Sequence, residues 1–328
     1  MIWDRQMRSK TPKIAAAKLA LVPTLLFCSL GLVSQTVPQS NQAPPQSAQK
    51  AFNTPGEAAQ ALIQAAGSYD MPALLAILGP DARDLVYSED PVNDKNRGVA
   101  FAALAHQKQS VSPDPKNPNQ ATLSVGNDDW PFPVPIVKRN GKWYYDSKAG
   151  REEILFRRIG ENELDAITIC RGFVEAQEEY ASEKHDGSEL NQYAQQIIST
   201  PGQHDGLAWQ NADGTWGGPV GETVAKVLQE GYAPNKPPFH GYYFKVLKGQ
   251  GPAAPLGQMN FVVEGAMIGG FALAAAPAQY RVTGVQTFIV SYEGIVYQKD
   301  LGPGTLAIFK SMELYNPDKT WHPTDDEP

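Results

Sequence analysis

In the first part of the chain, apolar residues recur at steps of three and four, which predicts amphipathic helices. The segment Thr54-Pro55-Gly56-Glu57 has the residues that satisfy free amides at a helix start, so a first helix is predicted from there. Asp70 is the predicted cap of a second, short helix that Gly79 ends. A third helix is predicted over residues 96–109.

The pattern then changes to a period of two, which is typical of strands. Strands are predicted over residues 121–125 and 132–138. Asn140-Gly141 is the strongest short hairpin signal, and it leads into a third strand over residues 142–146. Residues 51–159 are therefore predicted to form a domain in which helices pack on a curved antiparallel sheet.

Helical periodicity returns with a connecting helix over residues 149–159 and a long helix over residues 162–182. Cys170 lies in the apolar stripe of the long helix, so it is interpreted as a small buried hydrophobe, not as a nucleophile. The turn-rich segment that follows includes a helical piece over residues 189–198, and another short helix is predicted over residues 220–229.

The C-terminal part is rich in aromatic strands that glycines interrupt. Several antiparallel strands are predicted between residues 241 and 301, closed by a hairpin of residues 286–291 and 295–299. A long helix packed on this sheet makes a second domain, residues 160–322, before an acidic tail at 323–328. The predicted fold class of the whole chain is therefore α+β.

The N-terminus predicts export. Five Lys/Arg residues precede or open an apolar run at residues 19–33, which is shorter than the ~20 residues that span a bilayer. Residues 1–34 are predicted to be a cleaved signal peptide and residues 35–50, rich in Pro, Gln and Ser, a disordered linker. The mature chain is expected in the periplasm or outside the cell, without a transmembrane span. A retained anchor and lipidation at Cys28 stay open as alternatives.

Charge and cysteine content narrow the function classes. The chain has a net charge of −7, and removing the predicted leader, with its net +4, leaves −11. An acidic chain of this kind repels phosphate backbones, so nucleic acid is not an expected partner. After cleavage only Cys170 would remain, so no disulfide within the chain is expected.

Several long motifs stand in a characteristic order along the chain. They are Trp130–Pro135, Gly141–Asp146, Ala149–Leu155, Arg157–Gly160, Gly241–Leu247, Met267–Leu273, Pro277–Tyr280 and Val296–Gly302. This set resembles the bacterial family catalogued as domain of unknown function 2950, from about residue 52 to 321. The resemblance implies no activity.

Two weaker resemblances concern architecture. The first domain is similar to the cone-shaped cystatin-like and nuclear transport factor two-like superfamily, which hosts enzymes and binding modules alike. Residues 161–322 resemble the globular part of type IV pilins and pseudopilins. In pilins an uncleaved hydrophobic helix runs directly into that part, whereas here a different domain stands between, so pilin-like polymerisation through the helix is not implied.

Four common motifs of catalytic and cofactor sites are missing from the sequence. It has no Gly-x-Ser-x-Gly, His-Glu-x-x-His, phosphate-loop or Cys-x-x-Cys motif, so no catalytic residue, cofactor or metal site is predicted. His185-Asp186 and His204-Asp205 could approach each other and bind a metal. Ordinary solvated turns are the favoured interpretation of both pairs.

Aromatic and charged residues at strand positions are the candidates for binding. Trp143 and Tyr145 share one side of the first sheet and would face a concave pocket, while Lys299 and Asp300 could form a polar site with Tyr297. Core packing competes for about half of such aromatics. The candidate ligand or partner contacts are Trp130, Trp143, Tyr145, Tyr242, Tyr280, Tyr297, Lys299 and Asp300.

These features favour a binding or assembly module of the bacterial envelope, whose partner is an envelope protein or a small ligand. One alternative is a periplasmic hydrolase whose carboxylates, such as Asp128, Glu293 and Asp300, converge only in the fold. Another is a minor, pilus-like structural component. The sequence leaves the oligomeric state open.

Overall fold

The computed structural model describes residues 2–3, 49–88, 90–221 and 238–324. It combines helices with antiparallel sheets, which confirms the α+β class. The chain divides into two compact units, Met1–Arg157 and Arg158–Pro328. The predicted helix over residues 220–229 lies, apart from its first two residues, outside the described part.

Side chains cap the start of three helices of the first unit. Thr54 accepts a hydrogen bond from the Glu57 amide at 3.1 Å, and Asp70 accepts one from the Ala73 amide at 3.0 Å, so both predicted caps are confirmed. The third predicted helix begins earlier than expected because Asp90 accepts bonds from two amides of its first turn. The helices are α1 (Pro55–Ser68), α2 (Met71–Leu78), α3 (Arg83–Val86) and α4 (Pro91–Gln107).

One antiparallel sheet follows, with strand order β1-β2-β4-β5 and β3 paired to β2. Asn140 and Gly141 have φ values of 51° and 78°, the left-handed conformation that a two-residue hairpin requires, so this prediction is confirmed. The predicted strand over residues 132–138 begins only at Ile136, because three prolines before it have no amide to donate. The strands are β1 (Gln109–Asp114), β2 (Asn117–Val125), β3 (Trp130–Pro131), β4 (Ile136–Arg139) and β5 (Lys142–Tyr145).

The core of the first unit lies between these helices and the sheet. Phe132, only 2% exposed, is at its centre, with ring centroids of Phe101 and Tyr145 at 5.3 and 6.1 Å. Ile2 and Trp3, which belong to the predicted leader, are also buried in this core. The Trp3 ring lies 4.7 Å from that of Phe101.

A single helix, α5 (Ser147–Tyr180), replaces the two helices predicted over residues 149–159 and 162–182. Gly160 lies between the predicted helices but does not adopt the left-handed conformation that ends a helix. A glycine inside a helix weakens it by about 1 kcal/mol without ending it.

The second unit contains a five-stranded sheet of order β17-β16-β15-β14-β9, antiparallel throughout. The predicted hairpin is confirmed in β15 and β16. The described part of this unit also contains two two-stranded sheets and one three-stranded sheet. The elements are β6 (Gln196–Ile198), β7 (Gly206–Gln210), β8 (Trp216–Gly217), β9 (Tyr242–Leu247), β10 (Gly249–Gln250), β11 (Met259–Asn260), β12 (Val262–Val263), β13 (Ala266–Met267), β14 (Ala272–Pro277), β15 (Gln286–Ser291), β16 (Tyr297–Asp300), a 3-10 turn (Gly302–Gly304), α6 (Thr305–Ser311) and β17 (His322–Pro323).

The prediction of a helical piece over residues 189–198 is wrong. The segment has no helix, and its end forms β6. The buried side chain of Gln177 donates to the Ala194 carbonyl and accepts from the Ala194 amide, both at 2.8 Å. The Tyr193 amide bonds to the Met267 carbonyl at 2.8 Å. Tertiary partners therefore take the backbone groups that a helix would need.

The core of the second unit lies on both faces of the five-stranded sheet. On one face the Phe173 ring of α5 lies 5.7 Å from that of Phe271. α6 packs on β14. Lys245 of β9 donates to the carbonyls of Lys310 and Met312 at the end of α6, which satisfies acceptors that a helix end leaves free.

Candidate functional site

Glu163 is a carboxylate on the buried side of α5. It precedes the buried residues Ala166 and Cys170 by three and seven positions, so it faces the sheet as they do. One of its carboxylate oxygens accepts hydrogen bonds from the amides of Val285 and Gln286, at 2.8 and 3.0 Å. Glu163 therefore fixes the start of β15.

Burial raises the pKa of Glu163 above its ordinary value of 4.5. The two backbone hydrogen bonds act in the opposite direction, and the charge of Asp300 raises the pKa further. Asp300 pairs with Gln286 across β15 and β16. Two carboxylates from distant parts of the chain thus lie close enough for the charge of Asp300 to act on Glu163.

Asp300 is exposed and held from two sides. The Tyr280 hydroxyl donates to one of its oxygens at 3.0 Å, and the Gly302 amide donates to the other at 2.7 Å. The Arg281 guanidinium lies over the Tyr280 ring, 5.4 Å from its centroid. Tyr280 and Asp300, both predicted as site residues, are therefore brought together.

Asp165 and His240 form a second polar pair at this edge. The Nδ1 atom of His240 hydrogen-bonds to an Asp165 carboxylate oxygen, which fixes the orientation of the ring. His240 has a φ of 44°, a strained value for a residue with a side chain. Asn162 donates to the Thr283 carbonyl at 2.8 Å, so α5 holds both neighbouring loops.

We call Glu163, Asp165, His240, Tyr280 and Asp300 the edge cluster. Its members come from α5, from the turn before β9, from the loop before β15 and from the end of β16. Its chemistry is that of hydrogen-bond acceptors and negative charge, with a tyrosine and an imidazole beside them.

Tyr242, another predicted site residue, lies beneath the edge cluster and is fully buried. Its hydroxyl donates to the Gln286 carbonyl at 2.8 Å, and burial raises the pKa of that hydroxyl. A Cβ atom at Gly284 would overlap the Tyr242 hydroxyl, so this position needs glycine. Tyr242 thus supports the loop as part of the core, and its contact with a ligand stays a prediction.

Tyr297, Lys299 and Asp300, which were expected to form one polar site, lie on opposite faces of the sheet. Successive residues of a strand point to opposite faces, so Lys299 does not face the side of Asp300. The Lys299 ammonium group lies 5.7 Å from the centroid of the Trp321 ring instead. Tyr297 shares the face of Lys299, and its ring is 6.5 Å from that of Tyr315.

The three candidates of the first unit belong mainly to its core. Trp130 and Tyr145 are 6% and 1% exposed, and the Tyr145 hydroxyl donates to the Ala58 carbonyl of α1 at 3.3 Å. Trp143 is partly buried, with the Lys138 ammonium group 5.8 Å from its ring centroid. α1 therefore covers the face that was predicted to be a concave pocket.

The sequence reasoning missed Glu163, Asp165 and His240. A signal existed for Glu163, because extending the apolar stripe of the long helix back by one step places a charged residue on the buried face. Asp165 and His240 are 75 positions apart, and no spacing rule joins them.

The two His-Asp pairs do approach each other. The Nδ1 atom of His204 lies 2.9 Å from an Asp186 oxygen, and the His204 amide donates to the other oxygen at 2.6 Å. His185 stacks on Tyr180, with 3.9 Å between ring centroids. Within the described ranges, no three His, Cys, Asp or Glu residues are grouped so that they could hold a metal ion. The contacts join two turns.

None of the helices in the described part of the chain has both the length and the apolar character to cross a bilayer.

Residues 49–324 match the family described as "Protein of unknown function (DUF2950)". The chain belongs to this family. No curated protein and no solved structure matches the chain. The match covers the whole edge cluster, so DUF2950 membership includes the region that carries these polar groups.

Proposed function

We propose that this DUF2950 protein is exported to the bacterial envelope and binds a partner through the edge cluster. The observation that carries the proposal is the convergence of Glu163, Asp165 and Asp300 at one edge of the sheet. Glu163 and Asp165 both lie on α5, whereas Asp300 ends β16, far along the chain. Partial burial of Glu163 disfavours its charged form and so costs stability. A costly carboxylate of this kind favours a role beyond packing.

The partner class follows from the charge of the edge. Carboxylates attract ammonium and guanidinium groups, and the chain as a whole is acidic, so a basic segment of an envelope protein suits this surface. Tyr280 adds an aromatic face against which a cation can lie.

Export is tested first, by fractionating cells and determining the mass of the purified chain. We expect the chain in the envelope or outside the cell, with a mass that corresponds to loss of about residues 1–34. Cleavage there would remove Ile2 and Trp3 from the core of the first unit. A full-length chain in the cytoplasm would overturn the proposal of export.

Binding is tested by pull-down from envelope fractions with the purified chain, comparing wild type with the double variant Asp165→Asn, Asp300→Asn. We expect capture of one basic protein that weakens about tenfold in the variant and falls as salt is raised. Asp213→Asn is the matched control, because Asp213 lies on an exposed turn outside the edge cluster. Equal capture by wild type and the double variant would exclude the edge cluster as the binding surface.

A hydrolase is the second candidate, and one observation favours it. Burial, and to a lesser extent the charge of Asp300, raise the pKa of Glu163, as in carboxylic acids that act as proton donors. In that case Glu163→Gln and Asp300→Asn should each abolish turnover of envelope glycans while the fold is kept. Absence of turnover by the wild-type chain would leave the binding function.

A further inference from the structure

Ile2 and Trp3 fill a space in the core of the first unit. Ile2 is fully buried, and the centroid of the Trp3 ring lies 4.7 Å from that of Phe101 and 5.7 Å from that of Phe132. Trp3 keeps 7% of its surface exposed, so the space that it fills reaches the surface of the unit. We call the space filled by Ile2 and Trp3 the leader pocket.

The leader pocket is formed by the part of the chain that matches the family, but it is filled from outside that part. The match begins at residue 49, so both phenylalanine rings lie inside it, whereas Ile2 and Trp3 lie outside it. Ile2 and Trp3 also belong to the segment that is predicted to be cleaved. The exported chain is therefore expected to lose this occupant, so the inference rests on the proposed export.

The leader pocket also binds the backbone of its occupant. The Ile2 amide donates a hydrogen bond to the Leu85 carbonyl at 3.3 Å. Leu85 is a buried residue in the last turn of α3, where helix carbonyls have no partner within the helix. A buried carbonyl without a donor costs stability, and an acyl chain has no donor to supply. This contact favours a peptide over a lipid as the occupant.

Water is a poor substitute for Ile2 and Trp3. A buried water needs two or more polar partners, and the rings of Phe101 and Phe132 do not provide them. Apolar cavities left by a removed side chain lower stability, and they take up aromatic molecules. The structure shows which occupant fits: an aliphatic side chain whose amide reaches Leu85, followed by an indole ring.

We propose that the leader pocket of the exported chain binds a peptide segment of an envelope protein, in which an aliphatic residue is followed by tryptophan. The tryptophan ring of this segment takes the place of Trp3, and the amide of the aliphatic residue donates to the Leu85 carbonyl. In the precursor the tethered leader has a high effective concentration and excludes the segment. The edge cluster takes no part, because all its residues belong to the second unit.

Calorimetric titration of the full-length chain with the capped dipeptide N-acetyl-Ile-Trp-amide tests the pocket. In the double variant Ile2→Asp, Trp3→Asp, charged side chains do not stay in an apolar core, so the pocket should be vacant. We expect this variant to bind the dipeptide at least about tenfold more tightly than wild type does. Val92→Asp, Phe156→Asp is the control with the same change of charge, at positions 70% and 63% exposed, and it should bind like wild type. Equal binding by all three chains, or no binding by the first variant, would overturn the proposal.

Other probes define the occupant. N-acetyl-Ile-Ala-amide should bind the double variant at least about tenfold more weakly than N-acetyl-Ile-Trp-amide, because it has no ring to lie beside Phe101. The single variant Trp3→Ala is a milder change, and it should bind indole, whereas wild type should not. Equal binding of the two dipeptides, tighter binding of laurate, or no binding of indole by Trp3→Ala would each contradict the proposal.

Hydrogen exchange locates the bound dipeptide. Protection of backbone amides should rise in α3 and α4 of the double variant, and a rise confined to other elements would exclude the leader pocket as the site.

The chain purified from the envelope separates this proposal from the proposal of export. An envelope chain without residues 1–34 should bind N-acetyl-Ile-Trp-amide as the double variant does. If that chain lacked the leader and did not bind, the proposal for the leader pocket alone would fail. If the envelope chain kept its full-length mass, cleavage of the leader would be disproved, and the proposal for the pocket would fail with it.

Discussion

The two units use aromatic residues on strands in different ways. In the first unit Trp130 and Tyr145 are buried, because α1 and its neighbours cover the sheet face that carries them. In the second unit Tyr280 lies beyond the end of a strand, partly exposed, and its hydroxyl bonds to the Asp300 carboxylate. Tyrosine thus packs in the core of the first unit, whereas the second unit has it both in the core, as Tyr242, and at a polar edge, as Tyr280.

The difference shows that an aromatic residue of a sheet is buried where a helix covers it and is available to polar groups where no helix does. A tyrosine under a helix needs one hydrogen-bond partner for its hydroxyl, and a backbone carbonyl supplies it, as for Tyr145 and Tyr242. A tyrosine at an uncovered edge can share its hydroxyl with a charged group that also meets solvent. Candidate sites are therefore expected where the covering layer ends.

The strongest test of this comparison removes the central ring of the first core. Phe132→Ala leaves a cavity among Phe101, Trp130 and Tyr145, so the first unit should lose about 3–5 kcal/mol of unfolding free energy. Hydrogen exchange measures the protection of backbone amides in each unit separately, and protection in the second unit should stay unchanged. Phe156→Ala, at a residue 63% exposed, is the control and should have little effect. Equal loss of protection in both units would show that they share one core.

Two glycines of α5 give a matched pair. A Cβ at Gly150 would lie 2.6 Å from a methyl carbon of buried Val134, so Gly150→Ala should destabilise the first unit by about 1–3 kcal/mol. At Gly160 a Cβ meets nothing within 4 Å, so Gly160→Ala should stabilise the helix by up to about 1 kcal/mol. Urea unfolding measures both. Equal signs would contradict the close packing at Gly150.

Substitutions at Glu163 test whether burying this carboxylate costs the second unit stability. Glu163→Ala removes the acceptor of two amides and should cost about 1–3 kcal/mol. Glu163→Gln keeps an acceptor oxygen but cannot ionise. Because burial raises the pKa, the native chain holds this proton more tightly than the unfolded chain, and that stabilisation is complete at low pH and is lost as pH rises through the folded-state pKa.

Unfolding free energies of wild type and Glu163→Gln should therefore diverge with pH. From just below the ordinary carboxyl range up to neutral pH, the Gln variant should gain stability relative to wild type. Asp213→Asn should not give this trend, because hydrogen bonds from Thr215 outweigh burial at Asp213 and lower its pKa. If the difference in unfolding free energy between wild type and Glu163→Gln did not change with pH, burial of Glu163 would not raise its pKa.

The smallest effect is expected at Lys299. Its ammonium group lies over the Trp321 ring, so Lys299→Ala should cost about 0.5–1 kcal/mol. If Lys299 and Asp300 lie on separate faces, the effects of Lys299→Ala and Asp300→Asn on unfolding free energy should add. A double-mutant cycle measures this, and a coupling above about 0.5 kcal/mol would place both in one site.

Much of the local structure could be read from the sequence. The caps Thr54 and Asp70 and the turn at Asn140-Gly141 are decided by neighbouring residues, and all three are confirmed. Residues 189–198 were predicted wrongly because Gln177 and Met267, distant in sequence, take their backbone groups. Trp130 and Tyr145 could not be told from exposed aromatics, because alternation along a strand does not show which face a helix covers.

By itself the sequence determined the α+β class, the caps and turns, the acidic charge and membership of the DUF2950 family, since these depend on residue type and short-range order. Only the tertiary structure decided that Asp165 meets His240, that Glu163 lies beside Asp300, and that Lys299 is turned away from both. The physical reason is that contacts between distant segments depend on sheet register and on the face to which each side chain points, and neither is encoded within a local window.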